Sequence, residues 1–578
     1  MSKSWKLKPQ PPVEIRERLA DISPLIVQLL YNRDLTDPAK IRQFIETKYE
    51  DQHDPFLFGD MQKAVNRIWQ AIEQDEKICI YGDYDADAVT ANAVLQQAFR
   101  YVHKDLSSYI PDRFTEGYGL NLDAFEKIHQ QGCTVVITVD CGTNSIDVAE
   151  FCKKNGIDLI ITDHHEIIGP KPDAFALINP KNPDDTYPYH EITGVGVAFK
   201  LAYAVLQSPK SLVRNPKLTP GSEKWLLDLV AIGTVADCHS LMGENRIFVK
   251  YGLKVLQKTR WVGLQALGAV TNNSFQEKVP DTYTLGFVIA PRLNAAGRLE
   301  HADIALHTLL EKDPVQALER AQALETVNLR RQEMTGRIVS EAKEQVMNIA
   351  DRKVLVVAGE GWNKGIVGLV AGRLAEEYHK PVMVLEKTAT ESTGSARTVG
   401  KFDVVESLKY AAEFLTRFGG HKQAAGLTLP TENLEKFYEK ILEYAETHLR
   451  DEDLEHLLWL DAELSPKDLQ LDTYSLIAQL EPFGVDNPKP KFFLPQLVIV
   501  GSKMVGVSQQ HIQFRFRVGS KEISSIYFNC GDFAKNLKIG DTVDVAAELL
   551  CDSWNGRETL KLRIIDLQQS QGTQNRVG

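Results

Sequence analysis

The chain has 578 residues, 43% of them hydrophobic and 25% charged, with a formal net charge of −12. That length is too great for one hydrophobic core and predicts three or four domains of an ordinary soluble globular protein. No apolar run approaches the roughly 20 residues of a bilayer-spanning helix, and no apolar region follows Met1-Ser2-Lys3-Ser4-Trp5, so no membrane segment and no secretory signal are expected. The seven cysteines (79, 133, 141, 152, 238, 530 and 551) are odd in number and include no Cys-x-x-Cys pair, which argues against a disulfide framework and a zinc knuckle. The acidic balance is uneven: residues 486–578 hold 12 Lys and Arg against 9 Asp and Glu, so net charge does not exclude a nucleic-acid partner.

Residues 1–60 are mixed, proline-rich at first (Pro9, Pro11, Pro12), and carry no assigned chemistry. An alternation of helix and strand then begins. The pattern predicts a helix over Met61–Gln74, a buried strand over Ile78–Tyr81, a helix from Ala88 to Tyr101, a β-branched strand over Thr134–Val139, a helix over Asp147–Lys154 and a third strand over Leu159–Thr162. This rhythm implies an α/β fold with a mostly parallel sheet, whose ligands lie beyond the carboxyl ends of the strands. Those ends are loaded: Asp83, Asp85 and Asp87 follow the first strand at i, i+2 and i+4, Asp140 follows the second, and Asp163-His164-His165 follow the third. Asp237 ends the apolar helix Trp225–Val235, where a carboxylate opposes the helix dipole unless a cation compensates. Clustered carboxylates repel one another and suit Mg²⁺ or Mn²⁺. The competing reading is a solvated acidic turn with one aspartate capping the following helix.

A helical stretch from Asp313 to Ala350 has Pro314 at its start and apolar residues at Met334, Ile338, Ala342, Val346 and Ile349; two shorter helices broken at Gly336 are the alternative. Strands Lys353–Val357 and Val382–Leu385 around a helix Gly365–Glu377 predict a second, smaller α/β domain. There, Gly394-Ser395-Ala396-Arg397 and Phe418-Gly419-Gly420-His421 offer the N–H, hydroxyl and guanidinium groups that hold phosphate, though such glycines also make plain tight turns. Past Leu454 the pattern turns to short alternating strands. His511–Val518 places Ile512, Phe514, Phe516 and Val518 on one face and Gln513, Arg515 and Arg517 on the other, and Asn555-Gly556 reads as a hairpin turn. A β-barrel of the OB type tracking a phosphate backbone is expected, against a plain barrel with solvated arginines.

Asp83-Tyr84-Asp85-Ala86-Asp87, Val139-Asp140-Cys141-Gly142, Asp163-His164-His165 and Gly233-Thr234-Val235-Ala236-Asp237 resemble the four motifs of the DHH phosphoesterase superfamily. The segments 110–120, 291–299, 361–368, 394–397 and 418–426 resemble its branch of single-strand-specific 5′→3′ DNA exonucleases, and the resemblance covers roughly residues 50–570. It implies two divalent ions, Mn²⁺ or Mg²⁺, one held by Asp83, Asp85 and Asp140 and the other by Asp87, Asp140, His164 and Asp237, with His165 facing the scissile phosphate. It further implies a 5′-phosphate pocket of Arg113, Arg298, Ser395 and Arg397, with Arg292, Asn294 and His421 among the substrate-binding residues. Implied partners are single-stranded DNA, a single-stranded-DNA-binding protein and a RecQ-type helicase; a monomer in the bacterial cytoplasm, associated with the nucleoid, is expected.

The expected division is an N-terminal extension (1–60), a DHH domain (61–312), an interdomain helix (313–350), a DHH-associated domain (351–453), an OB-fold (454–570) and a tail (571–578). Two departures from the pattern stand out: Ala88 in place of Gly, and Cys238-His239-Ser240-Leu241 in place of a more apolar segment. His239 reads either as an extra ligand or as a hydrogen-bonded surface histidine. The rival functions are hydrolysis of nanoRNA, cyclic dinucleotides or 3′-phosphoadenosine phosphate, a pyrophosphatase, and a DNA-binding scaffold without catalysis.

Overall fold

The structure is a computed structural model that describes residues 3–570 apart from positions 118, 278, 507 and 555. Half of the Asn555-Gly556 turn and the 571–578 tail lie outside the described residues. The chain forms two compact units, one of residues 53–239 and 251–456, the other of 1–52, 240–250 and 457–578.

The larger unit begins with the expected α/β alternation. Strands β1 (Lys77–Gly82), β2 (Ser107–Tyr109), β3 (Cys133–Val139), β4 (Asp158–Thr162) and β5 (Ala176–Ile178) form an all-parallel sheet in the order β2-β1-β3-β4-β5. Ile78, Ile80, Val135, Ile137 and Ile160 are fully or almost fully buried, as strands covered on both faces require. Helix α1 (Ala86–Tyr101) follows β1 and starts two residues before the expected Ala88. The cause is Asp85, whose Oδ1 accepts the Ala88 N–H at 3.0 Å and so takes the N-cap. Ala88 therefore sits in the first helical turn, outside the positive-φ positions, and its side chain fits there in place of glycine. Helices α2 (Gly194–Gln207) and α3 (Leu227–Ala236) pack against α1, and α4 (Ala290–Leu299) carries the Pro291–Leu299 motif.

Helix α5 (Pro314–Val346) is continuous for 33 residues, about 50 Å at 1.5 Å per residue, and runs through Gly336 unbroken. Asp313 caps it through the N–H groups of Val315 and Gln316, and it ends four residues before the expected Ala350. Beyond it, β6 (Leu355–Glu360), β7 (Val382–Lys387), β8 (Glu391–Arg397), β9 (Arg417–His421) and β10 (Ala424–Pro430) form a mixed sheet in the order β9-β10-β8-β7-β6, with α6 (Val367–Tyr378) between β6 and β7 in the chain. In its register His421 lies opposite Ala424 and Ala424 opposite Arg397, so all three share one face.

In the other unit, β11 (Phe492–Val505), β12 (His511–Val518), β13 (Lys521–Tyr527), β14 (Thr542–Trp554) and β15 (Arg557–Gln569) close into a five-stranded barrel through the β11–β14 pairing. Ile512, Phe514, Phe516 and Val518 fill its interior while Gln513, Arg515 and Arg517 face out, as the alternation predicts. A groove of about 800 Å³ on the barrel is lined by Lys503, Gln513, Arg515, Phe528 and Lys561. Ser4–Leu7 pairs in parallel with Leu457–Leu460, which ties the amino-terminal segment to this unit. Among the described residues no helix is long and apolar enough to cross a membrane.

Candidate active site

The carboxyl ends of β1, β3 and β4 and the end of α3 converge on one acidic cluster. Asp83 is 1% exposed and neither of its carboxylate oxygens has a hydrogen-bond partner. Asp87, equally buried, accepts the backbone N–H groups of Gly194 at 2.9 Å and Val195 at 3.0 Å, the first amides of α2. Asp140 leaves β3 with φ of +59°, a left-handed conformation that turns its side chain into the cluster. Its Oδ1 lies 3.0 Å from His164 Nε2, though without hydrogen-bond alignment. The same His164 nitrogen is 3.7 Å from Asp237 Oδ2 and 4.0 Å from Asp87 Oδ2. Close approach fixes glycine at two positions: a Cβ on Gly194 would lie 2.5 Å from Asp140 Oδ1, and one on Gly233 2.8 Å from Asp87 Oδ1.

The electrostatics of this cluster run against ionisation. Burial, then the neighbouring Asp85 carboxylate, raises Asp87 to about 7 and Asp83 well above the carboxylate range. Burial and then Asp87 raise Asp140 and Asp237 in the same sense. Burial pushes the His164 imidazole well below its ordinary value, which favours the neutral ring, with a lone pair on one nitrogen and a hydrogen on the other. Buried carboxylate oxygens without partners, beside a neutral imidazole whose Nδ1 is also unpartnered, form a donor set that fits divalent cations taking oxygen and nitrogen ligands. The five aspartates and His164 are therefore brought together.

His165 stands beside Asp140 and His164, with one ligand atom of each within 4.8 Å of the others, and is held by a contact of its own. Its Nδ1 lies 2.7 Å from Asp163 Oδ1, and although burial opposes the charged ring, this bond raises its pKa. Asp163 also accepts the N–H groups of Thr143, His164 and His165, so it holds the loop that carries both histidines. This anchoring task of Asp163 is not legible in the sequence, where the strand-end Asp-His-His pattern is the available signal.

In the same unit three guanidiniums gather beside the acidic cluster. Arg113 lies over the Tyr84 ring at 4.8 Å. Arg298 donates to the Gly365 carbonyl at 3.2 Å, and burial together with the charges of Arg113, Arg331 and Arg397 lowers it to about 10. Burial and then Arg113 lower Arg397 as well. A Cβ on Gly368 would lie 3.2 Å from both Arg397 Nη2 and Ser395 Oγ, so glycine keeps that corner open. Cations that depress one another's pKa this way call for an anion.

The remaining predicted residues sit differently. Arg292 makes a bidentate pair with Glu325 on α5, at 2.5 and 3.0 Å, and donates to Val288, bracing α4 against α5. Asn294 Oδ1 accepts the Ala86 N–H at 2.9 Å, and Gly297 lets Tyr84 approach, so the α4 motif supports the Asp83–Asp87 loop from below. His421 is exposed on β9, two strands from Arg397 on the shared face.

A strand-end acid cluster beside an arginine pocket, to which the parallel-sheet domain gives Arg113 and Arg298 and the associated small domain gives Arg397, defines a DHH-type phosphoesterase. The sequence matches the DHH family N-terminal domain over residues 77–234, the DHHA1 domain over 351–447 and the RecJ OB domain over 460–566. It is 37% identical to the single-stranded-DNA-specific exonuclease RecJ of Bacillus subtilis, over 95% of this chain and 68% of that one. It is 31% identical to the protein of that name from Haemophilus influenzae, over 88% and 89%. The fold superposes on Thermus thermophilus RecJ in complex with Mn²⁺ with a TM-score of 0.81 at 27% identity, covering 98% of this chain and 80% of that one. The chain belongs to the RecJ family.

Proposed function

We propose that this protein is a divalent-metal-dependent exonuclease that degrades single-stranded DNA from its 5′ end to 5′-mononucleotides, in DNA repair and recombination. The observation that carries the reading is the placement, within one unit, of buried carboxylate oxygens without hydrogen-bond partners beside the gathered guanidiniums of Arg113, Arg298 and Arg397. Its relatives are named single-stranded-DNA-specific exonucleases, and RecJ structures hold Mn²⁺ and Mg²⁺.

In this reading Asp83, Asp85, Asp87, Asp140, His164 and Asp237 hold the ions. Bound there, divalent cations supply positive charge against the negative charge developing on the phosphate oxygens and acidify the attacking water. His165, fixed at Nδ1 by Asp163, is assigned to the scissile phosphate as a hydrogen-bond donor. Arg113, Arg298 and Arg397 with Ser395 grip the terminal 5′-phosphate, which gives the enzyme its polarity. The barrel groove, with Lys503, Arg515, Lys561 and Phe528, offers charge and an aromatic face to the trailing strand without reading sequence. A single-stranded-DNA-binding protein and a RecQ-type helicase fit as partners because they present and generate the strand.

Asp140→Ala tests the division of labour. The variant should bind a single-stranded oligonucleotide in gel shift yet leave it intact in Mn²⁺; cleavage at the wild-type rate would refute the central role of Asp140.

A further inference from the structure

The turn after α3 brings a residue to the acidic cluster that the metal set above leaves out. Cys238 adopts a left-handed φ of +56°, and this reversal folds His239 back over Asp237. His239 Nε2 lies 3.2 Å from Asp237 Oδ2, the same oxygen that is 3.7 Å from His164 Nε2. The two imidazole rings are 4.8 Å apart and tilted by 58°, and one ligand atom from each of His164, Asp237 and His239 falls within 4.8 Å of the others. Neighbouring ligands of an octahedral ion with bonds of about 2.1 Å stand roughly 3.0 Å apart and opposite ones roughly 4.2 Å, and the 3.2 and 3.7 Å separations of the two imidazole nitrogens from the shared Asp237 oxygen lie within that span. The rest of the His239 ring is arranged as a ligating histidine requires: it is hydrogen-bonded to the Glu191 backbone, and its Nδ1 is 3.8 Å from the Glu191 carboxylate. Such outer partners fix the tautomer and aim the other nitrogen at the metal.

We infer that His239 is an additional nitrogen ligand of the ion assigned to Asp87, Asp140, His164 and Asp237, and that it biases this site toward transition-metal ions over Mg²⁺. The inference rests on the metal reading of that site. An imidazole adds little for Mg²⁺, which takes oxygen ligands, and progressively more along the series from Mn²⁺ to Co²⁺. The competing role is a plain hydrogen bond from His239 to Asp237, which has no such metal dependence.

Calorimetric titration of metal-free full-length protein with Mg²⁺, Mn²⁺ and Co²⁺ separates the two, using His239→Gln and His239→Val, with the visible absorption of the Co²⁺ complex as a second readout. Both variants should lose about 10- to 100-fold in Co²⁺ affinity, somewhat less in Mn²⁺ affinity and under about threefold in Mg²⁺ affinity, with an altered Co²⁺ spectrum. Equal losses for all three ions, or unchanged affinities and spectrum, would overturn the inference. Asp140→Asn distinguishes the levels: if it weakens Mn²⁺ binding while the His239 variants do not, the inference alone fails, and if it too binds as wild type, the metal reading fails with it.

Discussion

Gly194 is where the account is most exposed to a single methyl group. Its N–H holds Asp87 Oδ2 at 2.9 Å, while a Cβ there would stand 2.5 Å from Asp140 Oδ1, 2.6 Å from its Cβ and 2.7 Å from its Cγ. Contacts this short lie about 1 Å inside ordinary van der Waals separation, and Asp140 is fully enclosed, so the side chain has no room to retreat. Two responses are open to Gly194→Ala. Asp140 swings out of the cluster, or the amino end of α2 withdraws and takes the Asp87 amides with it. Either misplaces an essential carboxylate by something near 1 Å, which costs about 10²-fold in rate, and overpacking of this kind costs about 1–3 kcal/mol in stability. Single-turnover hydrolysis of a 5′-phosphorylated oligonucleotide, calorimetric metal binding and urea denaturation measure the three effects. A variant that folds, binds Mn²⁺ and cleaves within about threefold of wild type would refute the placement of Asp140 and Asp87 about this glycine.

Other perturbations have equally definite outcomes. Gly336 is exposed in the middle of α5 with no atom near its absent side chain, so Gly336→Ala should stabilise the protein by up to about 1 kcal/mol and raise its thermal midpoint; a lower midpoint would contradict the continuous helix. Arg397→Ala should weaken binding of a 5′-phosphorylated strand by about 1.5–3 kcal/mol, read as a higher KM, and leave a 5′-hydroxyl strand nearly unaffected. Equal losses on both substrates would move Arg397 out of the terminal-phosphate pocket. Asp228, fully buried between Thr259 and Trp261, has its pKa raised to about 6 by burial against the hydrogen bonds those residues donate. Its folded pKa lies above its unfolded value, so the stability it contributes is present below about pH 4 and lost as pH rises through about 6. Relative to wild type, Asp228→Asn should therefore gain about 2 kcal/mol between pH 4 and pH 7 in urea midpoints, and a flat difference would place the shift elsewhere.

What the sequence made legible follows from the range of the interactions. The strand-end aspartates were readable because a strand, a turn and a helix N-terminus are set by neighbours in the chain, and the β2-β1-β3-β4-β5 sheet then aligns three such ends. Phe514 and Phe516 announced the barrel interior through a period of two. The partner of Asp87 was not readable: its two amides come from Gly194 and Val195, more than a hundred residues away, and no local pattern marks them. Arg292 stands in a motif full of phosphate-binding residue types, yet Glu325 on α5 claims its guanidinium, a pairing that only the packing of two helices reveals. The pairing of Ser4–Leu7 with Leu457–Leu460 spans some 450 residues, which is why the amino-terminal segment looked featureless on its own.

The central claim is that this chain removes nucleotides from the 5′ end of single-stranded DNA with divalent metal. One oligonucleotide in four forms tests it: 5′-phosphorylated with a 3′ label, 5′-blocked, 3′-blocked, and annealed to its complement, each incubated with Mn²⁺ and separately with EDTA. Mononucleotides are expected from the free and 3′-blocked strands in Mn²⁺ alone, with the 5′-blocked strand and the blunt duplex intact. Degradation of the 5′-blocked strand, or survival of every form in Mn²⁺, would contradict it.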